Sequence, residues 1–80
     1  MKNLEVVKAW VRGQAAKSGN MATDGRTLYS YDLKIGERKS LSLEIYDYTR
    51  GGGSFISSTT SHHVHMTKRE ARHATVVKPK

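Results

Sequence analysis

The stretch MATDGRTLYSYDLKIG, residues 21–36, indicates the fold more clearly than any other part of the chain. Asp24 and Gly25 stand between two segments rich in strand-forming residues, and an Asp-Gly pair in that setting predicts a two-residue hairpin turn. Beyond the turn, apolar and polar residues alternate, which is typical of a half-buried strand. The apolar positions of this strand are Tyr29, Tyr31, Leu33 and Ile35.

A second alternating segment follows, and its apolar residues are Leu41, Leu43 and Ile45. Joining it to the first through residues 36–40 would place Leu33 opposite Leu43 on one apolar face. We therefore predict an antiparallel meander of about four strands, at residues 20–23, 26–35, 40–48 and 54–60.

The alternation fails beyond Ile45, because Asp47 then falls on the apolar face while Tyr46 and Tyr48 face the other way. A bulge at Ile45 and Tyr46 would turn both tyrosines inward. Without a bulge, both tyrosines lie on the polar face, where they could stack on a base.

The same pairing sets Asp32 opposite Glu44, and two like charges in that position are mildly destabilising. Screening by Lys34, a shift of register, or a cation or proton shared by the two carboxylates would each relieve the repulsion.

Helices are predicted on both sides of the meander. Residues 4–12 collect their apolar side chains on one arc, with Asn3 as the N-cap, Gly13 as the terminating residue and Trp10 as a core anchor. Thr67 and Glu70 have the spacing of a capping box, which predicts a second helix over about 67–77. The sequence thus predicts a single α+β domain whose C-terminal helix packs on one sheet face, followed by a mobile tail at 78–80.

Size and composition restrict the classes of protein to consider. Eighty residues suffice for one domain, and the absence of cysteine excludes a disulfide framework. We expect no membrane span and no signal peptide, because the apolar runs are short, and we expect a cytoplasmic location. An uncovered sheet edge at 54–60 would allow homo-oligomers to form through strand pairing.

The net charge of +7 is concentrated toward the two ends of the chain. Residues 1–20 carry four basic and one acidic side chain, residues 21–50 carry five of each, and residues 51–80 carry five basic and one acidic. Such a distribution favours a polyanionic partner, either nucleic acid or an acidic surface of a nucleic-acid-handling complex. The predicted contact residues are Arg12, Lys17, Arg50, Lys68, Arg69, Arg72, His73, Tyr46 and Tyr48.

All four histidines lie within SHHVHMTKREARH, residues 61–73. His62, His63 and His65 fall either at the end of a strand or in the first turn of a longer helix. His63 and His65 are candidate metal ligands, but zinc needs a third protein ligand and no cysteine is available. We therefore expect no cofactor and no resident metal.

The segments TDGRTLYSYDLKIG (23–36) and SSTTSHH (57–63) resemble those of small uncharacterised proteins encoded by bacteriophages. The resemblance covers about half of the chain and transfers no functional residues. It implies a host-cell cytoplasm and an accessory role, such as binding and blocking a host or defence complex.

These observations favour a non-enzymatic binding protein that engages nucleic acid, or a complex that handles it, through a cationic surface. One alternative is a protein-only inhibitor that docks on an acidic protein patch. The second is a metal-dependent phosphodiesterase built from His63, His65 and a carboxylate, although no nucleophile motif surrounds any serine.

Overall fold

A computed structural model of the chain describes residues 2–40, 42–48 and 58–77. In this part of the chain the α+β class is confirmed, with one helix before and one after a meander of strands. The helices are α1 (Asn3–Arg12) and α2 (Ser58–Glu70), and the strands are β1 (Ala15–Lys17), β2 (Met21–Asp24), β3 (Thr27–Ser30), β4 (Leu33–Arg38), β5 (Leu43–Tyr46) and β6 (Thr75–Val77).

The strands form one sheet in the order β1-β2-β3-β4-β5-β6, with six strands rather than the predicted four. The first five pair antiparallel, each with its sequence neighbour, whereas β6 pairs parallel to β5. The chain between β5 and β6, which contains α2, makes this crossover. An antiparallel meander is therefore present, but its strands do not follow the predicted division, and β1 and β6, neither of which was predicted, form its two edges.

The Asp24-Gly25 turn lies where the sequence predicts it. The Asp24 carboxylate accepts hydrogen bonds from the amides of Arg26 and Thr27, and Gly25 has a φ of 96°, which favours glycine. A Cβ on Gly25 would lie 2.7 Å from the carbonyl oxygen of Gly13, so this turn packs directly against the end of α1. The hairpin thus fixes β2, β3 and α1 relative to one another.

The single strand predicted at 26–35 is instead two strands, β3 and β4. The chain reverses at Tyr31 and Asp32, where Tyr31 adopts a left-handed φ of 56° and Ser30 pairs with Leu33. Leu28 pairs with Gly36 and Tyr29 with Lys34, which leaves one additional residue in β4. The bulge therefore lies here and not at Ile45 and Tyr46, where the structure shows regular pairing with β6.

The predicted register between the two alternating segments is wrong. Gly36 pairs with Ile45 and Arg38 with Leu43, so the connection is residues 39–42 rather than 36–40. Gly36 lies inside β4 because Trp10 packs on it, and a Cβ there would come within 2.9 Å of the indole ring. The like-charged pair is consequently Glu37 and Glu44 instead of Asp32 and Glu44.

Two lysines relieve this carboxylate repulsion. Glu37 forms ion pairs with Lys34 and Lys39, and these hydrogen bonds lower the pKa of Glu37 from 4.5 to about 2. Lysine side chains thus reduce the repulsion between two carboxylates, as the sequence suggested, but the pair is Glu37 and Glu44.

The C-terminal third differs most from the sequence prediction. Residues 58–60 of the predicted strand 54–60 begin α2, while 54–57 lie outside the described residues. The helix predicted over 67–77 instead ends at Glu70, and Thr75–Val77 form β6. Thr67 is no N-cap: it lies within α2, and its hydroxyl donates to the carbonyl oxygen of His63. The predicted tail at 78–80 also lies outside the described residues.

Helix α1 confirms the prediction over 4–12. Gly13 terminates it in a left-handed conformation, and Trp10 is fully buried among aliphatic residues while its indole nitrogen donates to the carbonyl oxygen of Arg26. The predicted N-cap is wrong, because Lys2 occupies that position without a side-chain bond and the Asn3 side chain instead contacts Ser18 and His63. The buried core is Val6, Val7, Trp10, Met21, Leu28, Ile35, Leu43, Ile45, Val64 and Ala71.

Neither of the two helices described here is long and apolar enough to cross a membrane.

Candidate nucleic-acid interface

Helix α2 has two faces of different chemistry. On a helical wheel, Thr60, His63, Val64, Thr67 and Ala71 fall within roughly 100°, and all of these side chains are buried. The opposite side carries basic and imidazole side chains within roughly 120° of arc, at positions 62, 65, 68 and 69, and Arg72 follows in the turn after α2. The sequence left open whether His62, His63 and His65 belong to a strand or a helix, and the structure places all three in α2.

The buried face is polar as well as apolar. His63 is 2% exposed, and both of its ring nitrogens have partners: Nδ1 lies 2.6 Å from Ser30 Oγ, and Nε2 lies 3.2 Å from Asn3 Nδ2. Asn3 in turn accepts a hydrogen bond from Ser18. The imidazole therefore joins α1 and β3 to α2, and this network holds α2 in place.

Burial determines the ionisation of His63. Desolvation lowers its pKa below 6.5, and the neighbouring His62 lowers it further. The ring is therefore neutral near neutral pH, with one nitrogen donating and the other accepting. If Asn3 donates to Nε2, then Nδ1 carries the proton and donates to Ser30.

The exposed face of α2 forms a shallow depression of about 570 Å³. His62, His65 and Arg69 are exposed and follow one another along α2 at intervals of three and four residues, and the exposed Arg72, in the turn after the helix, continues this stripe. We call this stripe, together with Lys68, the α2 basic face. The five residues lining the depression are His62, His65, Lys68, Arg69 and Arg72.

Lys68 differs from the other four because it is ion-paired. Its Nζ lies 3.1 Å from Asp47 Oδ1 at the end of β5, and its side chain is 28% exposed. Part of its charge is therefore balanced within the protein. The two arginines are the principal permanent charges of the α2 basic face.

The structure brings together three of the predicted contact residues, Lys68, Arg69 and Arg72. His73 is exposed in the turn after α2 but does not line the depression. His62 and His65 line it and were not among the predicted contacts. The i, i+3, i+7, i+10 spacing from His62 to Arg72 indicates that these side chains share one side of a helix. The prediction of a strand at 54–60 excluded a helix that begins before His62.

The other predicted contacts lie elsewhere. Arg12 is exposed at the end of α1, next to the Asp24-Gly25 turn, which is the opposite end of the sheet from Asp47. Lys17 lines a separate depression with Tyr31 and Asp32. Arg50 lies outside the described residues.

Tyr46 and Tyr48 occupy different environments. Tyr46 is half-buried, and Lys34 Nζ lies 5.7 Å from its ring centroid, within range of a cation–π contact. Tyr48 packs against the core, because a tight turn in which its amide donates to the Tyr46 carbonyl ends the strand alternation. The two rings therefore do not form a common stacking platform.

His63 and His65 are poorly placed for sharing a metal ion. They stand two residues apart on a helix, so one is buried with both nitrogens bonded while the other is exposed. Among residues 2–40, 42–48 and 58–77, no three His, Asp or Glu side chains are grouped so that they could hold a metal ion.

Comparison with known proteins gives no relative: no family model, no curated protein and no solved structure matches this chain.

Proposed function

We propose that the chain is a non-enzymatic nucleic-acid-binding protein whose α2 basic face contacts backbone phosphates. The observation that carries this proposal is that His62, His65, Lys68 and Arg69 of α2 and Arg72 of the following turn line one shallow depression. Arginine binds phosphate through paired, charge-assisted hydrogen bonds, and its charge is permanent. In this proposal α2 packs on one face of the sheet, so that the α2 basic face is directed toward solvent and is held by the sheet.

The shape of the site favours a polymer over a small molecule. A small ligand is usually enclosed by a deep, largely apolar pocket, whereas the α2 basic face is shallow and lined by cationic and imidazole groups. A row of charges along a helix matches the regularly repeated charges of a phosphate backbone. Binding is then expected to depend weakly on sequence and strongly on salt.

His62 and His65 place imidazole rings beside the arginines, and an imidazole N–H can donate a hydrogen bond to a phosphate oxygen. In a phage-type accessory or anti-defence role, such a surface would occupy nucleic acid or a complex that handles it in the host cytoplasm, with or without self-association.

A direct test is a fluorescence anisotropy titration of labelled single-stranded and duplex oligonucleotides at low salt. We expect the wild-type chain to bind at least one of them, and R69Q/R72Q to bind about tenfold more weakly or worse, since each lost phosphate contact removes a charge-assisted hydrogen bond.

The matched control is K2Q/K8Q, which removes the same charge from exposed positions before and within α1. It should bind nearly as well as wild type. An equal loss in both double variants would contradict a specific α2 site, and no binding to either oligonucleotide would remove nucleic acid as the partner. Capture of a protein that survives nuclease treatment and depends on Arg69 and Arg72 would indicate an acidic protein patch instead.

A further inference from the structure

A second cationic depression, of about 510 Å³, lies at the end of the sheet away from α2. It is formed where the Asp24-Gly25 turn, the end of α1 and the β4–β5 connection meet. The α2 helix, in contrast, contacts the sheet where β3 ends at Ser30 and where β5 is followed by Asp47. The residues that line this second depression are Gly13, Asp24, Gly25, Arg26, Arg38, Lys39 and Ser40.

Arg38 is held in place by the backbone. Its Nη2 donates to the carbonyl oxygens of Trp10 at 2.7 Å and Val11 at 3.0 Å, and its Nε lies 3.4 Å from the Gly25 carbonyl oxygen. Both carbonyls lie in the last turn of α1, where that of Trp10 also accepts from the Gly13 amide, so the guanidinium stabilises the helix end. Because the side chain is already ordered, a ligand that meets it loses little side-chain entropy.

Donors remain for a ligand in this depression. Among the described residues, Arg38 Nη1 makes no hydrogen bond, and the Arg26 guanidinium makes neither a hydrogen bond nor an ion pair. Lys39 Nζ contacts Glu37 and keeps further N–H donors. The acidic residue of the lining, Asp24, accepts two backbone amides, so part of its charge is already balanced.

The backbone leaves room for a ligand at the floor of the depression. Gly13 has a left-handed φ and carries no side chain, and a Cβ there would lie 3.6 Å from Arg38 Nη2, whereas Gly25 packs directly on the Gly13 carbonyl oxygen. A ligand oxygen can therefore approach the guanidinium without displacing a side chain at that position. Three cations and one carboxylate give the lining an excess of positive charge.

We infer that this depression, bounded by Arg26, Arg38 and Lys39, binds a phosphate group. Arg38 supplies a fixed donor, Arg26 and Lys39 close on the anion from the two neighbouring turns, and Ser40 adds a hydroxyl. The phosphate belongs either to a nucleic-acid backbone or to a small phosphorylated compound. This inference does not depend on the α2 basic face.

The test is a titration of the full chain, labelled with ¹⁵N, with inorganic pyrophosphate at constant ionic strength, followed by amide chemical shifts. We expect saturable shifts of the Gly13, Arg26 and Lys39 amides. R26Q should weaken binding by about three- to tenfold, since it removes one charge-assisted contact at an exposed site. K8Q removes the same charge elsewhere on the surface and should leave the affinity unchanged.

A second titration, with an oligonucleotide lacking terminal phosphates, identifies the source of the group. If the oligonucleotide shifts the same amides, and R26Q weakens that binding, the group is a backbone phosphate. A response to pyrophosphate alone would assign a small phosphorylated compound. Shifts no larger than those with sodium chloride, or equal weakening by R26Q and K8Q, would overturn the inference. R69Q/R72Q separates the two sites, because it should not affect the pyrophosphate response.

Discussion

The two faces of α2 use the same residue type for opposite purposes. His63 is buried, neutral and bonded at both nitrogens, whereas His62 and His65 are exposed beside Arg69 and Arg72. The three histidines lie within four consecutive positions, and the helical period alone separates them. Their surroundings, rather than their identity, therefore determine whether each histidine stabilises the fold or is available to a ligand.

This division implies that stability and binding can be changed independently. Substitutions on the buried face should reduce the free energy of unfolding, and substitutions on the α2 basic face should reduce affinity without unfolding the chain.

The largest effect is expected for His63→Ala. The substitution opens a cavity and removes the partner of both Ser30 and Asn3, so it should lower the free energy of unfolding by about 2–4 kcal/mol. That is a large fraction of the stability of a domain of this size. Urea unfolding followed by circular dichroism gives the value.

His65→Ala is the matched control, since it removes the same side chain from the exposed face. It should change the unfolding free energy by less than about 0.5 kcal/mol. Similar losses in the two variants would show that the two faces are not distinct.

An intermediate effect is expected from pH. Burial lowers the pKa of folded His63 below its unfolded value, so the unfolded chain binds the proton more readily. The stabilisation is complete above pH of about 6.5 and is lost as the pH falls through the folded pKa. Urea midpoints measured between pH 7.5 and 5 should therefore fall more steeply for wild type than for His63→Gln.

The ionisable groups near His63 do not account for the expected difference in pH dependence between wild type and His63→Gln. His62, His65 and the Tyr31 ring near His63 are present in both proteins and so contribute equally to the two profiles, and Glu37, with a pKa of about 2, remains charged. Parallel pH profiles for wild type and His63→Gln would contradict a buried neutral imidazole.

The smallest effect is expected for the Lys68–Asp47 ion pair. Both side chains are partly exposed, so a double-mutant cycle with Lys68→Gln and Asp47→Asn should give a coupling of about 0.2–1 kcal/mol. Because its charge is partly balanced, Lys68→Gln should also weaken nucleic-acid binding less than Arg69→Gln does. A larger loss of affinity for Lys68→Gln would mean that Lys68 leaves Asp47 to contact the ligand.

Local signals in the sequence predicted the first half of the fold. The Asp24-Gly25 turn and helix α1 depend on neighbouring residues, and both are found where expected. The Tyr31-Asp32 turn was missed because an exposed tyrosine with a left-handed φ continues the apolar alternation of its strand. The predicted β4–β5 register was wrong because Gly36 was assigned to the connection, whereas it lies inside β4 under the Trp10 ring. This contact joins residues that are distant in sequence.

Helix α2 could not be recognised from apolar periodicity. Its buried face repeats Thr60, His63, Thr67 and Ala71 at helical spacing, but three of these four residues are polar and are buried only because they find hydrogen-bond partners. Lys68, Arg69 and Arg72 were predicted as contact residues from the sequence, whereas the inclusion of His62 and His65 required the true start of the helix. β6 was missed although Thr75–Val77 are all β-branched.

The dependence of oligonucleotide affinity on salt reports phosphate contacts made by the α2 basic face, because each contact contributes separately to the slope of log Kobs against log salt concentration. For R69Q/R72Q, the slope should become shallower than that of wild type by about 1.4 on single strands or about 1.8 on duplex. K2Q/K8Q should retain the wild-type slope. An unchanged slope in R69Q/R72Q, or an equal reduction in both variants, would contradict phosphate binding by the α2 basic face.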